Sequence, residues 1–157
     1  MWNLVRSLTY ATLFVGLVLV FLPSRMFFPM GAPPPAAGGL RILGMIVAGV
    51  GAAIVLWCIT TFALIGRGTP AIFDPPQRLV LRGPYRFVRN PMYIGAALAV
   101  TGAAIVYRST GLALYAAAFL LLSHVFVVWY EEPTLRAKFG SEYDEYCKRI
   151  ARWLPRV

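Results

Sequence analysis

Charge is scarce in this chain of 157 residues: 13% are Asp, Glu, Lys or Arg, whereas 59% are hydrophobic. A soluble domain carries roughly a quarter charged residues. With a mean hydropathy of +0.69, composition therefore excludes an ordinary soluble domain and points to a membrane protein. Histidine occurs once, at His124. With no second histidine and no cysteine pair beside it, a metal site is not expected, and no serine–histidine–acid set presents itself. The two cysteines, Cys58 and Cys147, fall in an apolar run and in the C-terminal segment, so a disulfide is not expected either.

What the chain does have is long uncharged runs. Eighteen residues lie between Arg6 and Arg25, 25 between Arg41 and Arg67, 18 between Arg89 and Arg108, and 22 between Arg108 and Glu131. A helix needs about 20 mainly apolar residues to cross a bilayer. The run from Arg25 to Arg41 is broken by "PMGAPPPAAGG" and reads as a loop. The first run has no small-residue cleavage pattern in the "FLPSRMFFP" that follows it, so it reads as an uncleaved helix. The expectation is one all-α integral membrane domain, residues 1–157. It has about four transmembrane helices, over about 7–24, 43–65, 91–107 and 111–130, a cytoplasmic loop, and a C-terminal amphipathic interfacial segment over 133–153.

The net charge of +9 is explained by its distribution. With a cytoplasmic N-terminus, 12 of the 15 basic residues fall on the inner side, leaving only Arg25, Arg41 and Arg108 outside. The positive-inside rule predicts that orientation, with both termini cytoplasmic and, in a bacterium, the inner membrane as the location. The basic charge then sets topology and attracts anionic headgroups. Nucleic acid is not an expected partner.

The "RSTG" turn, Arg108 to Gly111, predicts an antiparallel hairpin of the third and fourth helices. Gly95, Ala96, Ala97, Ala99, Gly102, Ala103 and Ala104 are expected to let that hairpin pack closely. The inner loop from Gly66 to Pro91 is too rich in proline and glycine to be one helix. Leu135, Phe139, Tyr143, Tyr146, Ile150 and Trp153 recur at helical spacing. Gly140 is expected to split that segment, Ser141 and Asp144 to cap its second part, and its aromatics to sit at headgroup depth.

Several short stretches carry chemistry. In "RNPMY", Asn90 reads as an N-cap and Pro91 as the first residue of the third helix. Arg78, Arg82, Arg86 and Arg89 concentrate guanidinium groups at the membrane face, suited to a carboxylate or phosphate. "GRG", Gly66 to Gly68, offers backbone open to close approach but is not the dinucleotide fingerprint. In "YEEP", Glu131 and Glu132 are two adjacent carboxylates at the hydrocarbon boundary. They either pair with loop arginines or receive a ligand's ammonium or hydroxyl groups. His124, seven residues before Glu131, lies on nearly the same helix face. A neutral histidine hydrogen-bonded across the bundle is the favoured reading.

Taken in order, "GRGTP", "LVLRGPYRFVRNPMYIG", "EEPTLRAKFGSEYDEY" and "RWLP" resemble the membrane methyltransferases that include isoprenylcysteine carboxyl methyltransferase and phosphatidylethanolamine N-methyltransferase. The resemblance spans about residues 60–157. It implies an all-helical membrane enzyme using S-adenosylmethionine on a lipophilic acceptor. It also implies a cofactor site including Gly66, Gly68, Tyr85, Arg89, Asn90, Pro91, Tyr93, Gly95, Glu131 and Glu132. Of these, Arg89, Asn90, Tyr93 and Glu131 are implied to serve catalysis. The family's arginine–histidine–proline element has Asn90 in place of the histidine, which removes an imidazole but leaves a hydrogen-bonding amide. Two other functions fit parts of the pattern. A membrane reductase would use the loop arginines for a phosphorylated nicotinamide cofactor. A small transporter would be expected to carry an intramembrane acid, and none of the four runs contains one.

Overall fold

The structure, a computed structural model, describes residues 16–28, 31–62, 64 and 79–155. Among the described residues it is helical, without strands. The helices are α1 (Gly16–Phe27), α2 (Gly39–Thr61), α3 (Pro91–Tyr107), α4 (Thr110–Phe126), α5 (Glu132–Phe139) and α6 (Ser141–Arg149). A 3₁₀ turn, Gly83–Arg86, precedes α3.

Local sequence explains most of the boundaries. Pro91 supplies the fixed φ that opens α3,. Arg108, in the left-handed region at φ 48°, closes it. Ser109 then accepts a hydrogen bond from the backbone N–H of Leu112 at 3.2 Å and so caps α4,. The expected α3–α4 hairpin therefore forms. Asn90 stands at the N-cap position of α3, but its side chain makes no cap bond there; it is used elsewhere. Gly140, at φ 54°, does split the C-terminal segment. No side chain caps α6, because Asp144 is drawn instead to Arg136, whose Nε donates to it at 2.8 Å.

The α2–α3 seam corrects one expectation. Gly95 and Gly102 are turned toward α2, not toward the α4 hairpin partner. Gly51 lies against Gly95, and Gly44 against Gly102, two helical turns apart on each antiparallel strand of the seam. A Cβ placed on Gly102 would lie 2.6 Å from the Cβ of Ala48, and one on Gly95 would lie 2.9 Å from Gly51 O. The two backbones touch because no side chain separates them, which is how helices associate where lipid removes the hydrophobic drive. Val100, Ala104, Leu112 and Ala116 form the core between α3 and α4, with α1 added through Phe27 and Leu19.

Among the described residues, two helices are long and apolar enough to cross a membrane: Gly39–Thr61, and Thr110–Phe139, which runs unbroken for 30 residues. Gly16–Phe27 and Pro91–Tyr107 are shorter apolar helices. Only 22% of the most apolar window of either long helix is buried within the protein. Leu114, Leu121 and Leu122 are each more than 60% exposed. Such exposed apolar faces suit a lipid surrounding.

In the C-terminal segment, Tyr143 and Tyr146 are buried inside the protein, 2% and 8% exposed. The Tyr146 hydroxyl donates to the backbone carbonyl of Tyr85 at 2.7 Å, fastening α6 to the loop before α3.

Candidate active site

The site begins with a local distortion of the long helix. Pro133 lacks an N–H, and in a regular α-helix its ring would meet the carbonyl four residues earlier. Over Val127–Glu131 the helix widens, and the N–H of Glu132 reaches five residues back to Val127 O. The Thr134 hydroxyl donates to Tyr130 O at 2.7 Å, a local side-chain bond just after the wide turn. Such wide turns gather at functional sites because they re-aim side chains. Here the two adjacent carboxylates acquire different surroundings.

Glu132 is buried and surrounded by arginine. Arg152 binds it through two parallel bonds, Nε to Oε1 at 2.7 Å and Nη2 to Oε2 at 2.9 Å. Arg89 Nη1 lies 3.2 Å from Oε1. This fork geometry is what a guanidinium offers a carboxylate. Glu131 is different. Its recorded partner is the phenol of Tyr93, which donates to Oε2 at 3.2 Å.

The C-terminal segment completes the site. The backbone N–H of Arg89 donates to Ala151 O at 2.9 Å, and Asn90 Nδ2 donates to Arg152 O at 3.3 Å. Trp153 Nε1 donates to His124 Nδ1 at 3.0 Å. Arg89 also donates through Nη1 to the sulfur of Cys147 at 2.6 Å, yet its Nε is buried with no acceptor. Below this cluster, burial pushes the phenols of Tyr143 and Tyr146 well above their ordinary pKa. Both are neutral at neutral pH.

Of the residues expected in the site, Arg89, Asn90, Tyr93, Glu131 and Glu132 take part in these contacts, and Pro91 opens the helix that carries Tyr93. Gly95 and Tyr85 make packing contacts of their own, and the Tyr85 phenol stands close enough to Glu131 for the two to interact electrostatically. Gly95 belongs to the α2–α3 seam. The Tyr85 ring packs into a cluster with Cys58 and Val80, its centroid 5.1 Å from that of Phe62. Arg82 and Arg86 are exposed, Arg86 lying over its neighbour Phe87 at 4.5 Å. Gly66, Gly68 and Arg78 lie outside the described residues.

The comparisons with known proteins decide the kind of chain this is. Residues 40–142 match the model of the family described as phospholipid methyltransferase. This chain belongs to the phospholipid methyltransferase family. Two curated relatives, each named probable protein-S-isoprenylcysteine O-methyltransferase, come from Oryza sativa subsp. indica and subsp. japonica. Each is 31% identical over 86 residues, covering 53% of this chain and 44% of the relative. The chain thus spans less than half the length of these relatives. No solved structure matches it.

As a member of the phospholipid methyltransferase family, the chain shows two features that sequence reasoning did not place. Arg152 and Trp153 lie beyond the matched residues 40–142, yet they bind Glu132 and His124, respectively. One signal was available: a buried acid at Glu132 requires a cation, and "ARWLP" supplies one after the last helix.

Proposed function

We propose that this protein transfers a methyl group from S-adenosylmethionine to a lipophilic acceptor at the cytoplasmic membrane interface. The observation that carries the reading is the unequal treatment of the glutamate pair. Glu132 is bound on both oxygens by arginine, whereas Glu131 has a phenol partner; beside Glu132 stands Arg89, whose buried Nε lacks an acceptor. A carboxylate with acceptor capacity and a guanidinium with a spare donor suit an amino-acid-like zwitterion, so the residues fit the methionine part of the proposed methyl donor.

In this reading Glu131, Tyr93 and Arg89 hold the donor. Asn90 and Pro91 shape the helix start beside it, and Gly66 and Gly68 offer it open backbone. When bound, S-adenosylmethionine supplies an electrophilic methyl on a sulfonium that is its own good leaving group. The protein's task is then alignment and exclusion of water. The ring of Trp153 and the ion pairs of Arg152 serve the second, and Tyr93 the first. A carboxylate or thiolate acceptor needs no base. An amine acceptor must lose a proton, for which Glu131 is the placed carboxylate. The curated relatives' names support a carboxylate or other lipophilic acceptor, and the four apolar helices, with both termini cytoplasmic, bring it from the bilayer sideways.

The test is calorimetric binding of S-adenosylhomocysteine to the detergent-purified protein, with the reduced phosphorylated nicotinamide cofactor run in parallel. Saturable binding of the first alone supports methyl transfer. Binding of only the second, or of neither by folded protein, overturns it.

A further inference from the structure

Three successive residues of the C-terminal segment are held from the stretch before α3, from α5 and from α4. Ala151 accepts from the backbone of Arg89. Arg152 accepts from Asn90 and grips Glu132. Trp153 donates to His124. Residues 150–155 form no helix or strand, so these tertiary contacts, not secondary structure, determine where the segment lies.

The Trp153–His124 bond stands apart from the others. Arg152 and Ala151 touch residues already placed in the site, but His124 is in α4 and has no role in the reading given above. Trp153 joins the two. Its ring centroid lies 6.0 Å from that of His124 and 6.5 Å from that of Tyr93. Tyr93 in turn lies 6.3 Å from Phe119 and donates to Glu131. Rings at these separations are in packing range. An aromatic wall of Phe119, Tyr93, Trp153 and His124 therefore stands beside Glu131, and His124 anchors its outermost member. The bond requires the His124 Nδ1 lone pair, which assigns the ring proton to Nε2 in the neutral side chain.

We propose that His124 is a positioning residue: by accepting the indole N–H of Trp153 it holds the C-terminal segment against Tyr93, and so keeps the Tyr93 phenol on Glu131. Trp153 is the link in this catch, because its ring contacts both His124 and Tyr93. The ligand arm of this proposal rests on the methyl-donor reading above, whereas the catch itself does not.

The test uses the full chain in detergent as wild type, His124→Leu, His124→Gln and Trp153→Phe. Gln retains an oxygen that can accept the indole N–H, and Phe keeps a ring while removing the donor. Backbone hydrogen exchange over residues 150–154 reads the catch, and affinity for S-adenosylhomocysteine reads positioning. His124→Leu and Trp153→Phe are expected to speed exchange in the segment and to weaken affinity by about fivefold, the worth of one hydrogen bond. His124→Gln is expected to restore both, and the Leu/Phe double variant to be no worse than either single one. Unchanged exchange in Trp153→Phe overturns the catch, even if His124→Leu fails to fold. Faster exchange with unaltered affinity overturns the positioning role. Failure of the wild type to bind S-adenosylhomocysteine overturns the methyl-donor reading and the positioning role with it, while the exchange arm still decides the catch.

Discussion

Removing the charge of Glu132 should cost this protein more stability than removing any other single acid among the described residues. Glu132→Gln keeps the shape of the side chain but leaves Arg89 and Arg152 facing each other without the carboxylate that joins them. The side chains of Arg89 and Glu132 are only 12% and 10% exposed. Breaking a buried pair by deleting one partner costs about 3–5 kcal/mol, because a charge is left desolvated. Arg152 is 31% exposed and can turn partly to solvent, and the Gln oxygen retains one acceptor, so about 2–3 kcal/mol is expected. At roughly 2–4 °C per kcal/mol for a chain of this length, the melting temperature should fall by about 5–10 °C. Thermal unfolding in one detergent is the assay, with Asp144→Asn as the comparison. Asp144 pairs with Arg136 at 2.8 Å, but both side chains are about half exposed. Exposed pairs are screened by solvent and contribute little, so that variant should melt close to wild type. Equal melting of Glu132→Gln and Asp144→Asn, or additivity of Glu132→Gln with Arg152→Gln, would refute the argument that this cluster is a buried, coupled ion-pair network.

Other outcomes follow from the same geometry. Glu131→Gln should leave melting nearly unchanged, since only the Tyr93 bond is affected, but weaken S-adenosylhomocysteine binding at least about tenfold, one charge-assisted contact or more; unaltered affinity by calorimetry would remove Glu131 from the proposed site. Gly102→Val drives side-chain atoms into the backbone of Ala48 and should cost about 3 kcal/mol or more, whereas Gly49→Ala, with nothing within 4 Å, should be neutral in the same melting assay. The raised phenols of Tyr143 and Tyr146 favour the folded form in full below the unfolded tyrosine value of about 10, and that contribution is lost as pH rises through their folded values. Hydrogen exchange in α6, corrected for the intrinsic pH dependence, should therefore be flat from pH 7 to 9 and accelerate above about 10. Tyr146→Phe should reduce the alkaline response.

Much of the scaffold was legible because its causes are local. Pro91, the Ser109 cap and the left-handed Arg108 sit within a turn of the boundaries they set, so α3 and the hairpin to α4 could be read residue by residue. Apolar runs announced the long helices for the same reason: lipid acts on each side chain separately. Gly140 likewise marked its own break. Where local rules failed, a distant partner had outcompeted the near one. Asn90 leaves its cap position for Arg152 O, 62 residues away, and Asp144 prefers Arg136 to the α6 backbone.

The sequence by itself determined that this is a helical chain with membrane-length apolar runs and a cluster of arginine, amide, tyrosine and glutamate at the helix ends. It could not say which glutamate keeps acceptor capacity, because adjacent residues on a helix diverge by about 100° and the wide turn before Pro133 changes the direction of both. Nor could it say that Gly95 serves the seam with α2, or that Arg152 and Trp153 reach back to Glu132 and His124. Those assignments depend on the phase of each helix against its neighbours and on a terminal segment with no periodicity of its own. Only tertiary packing supplies that information.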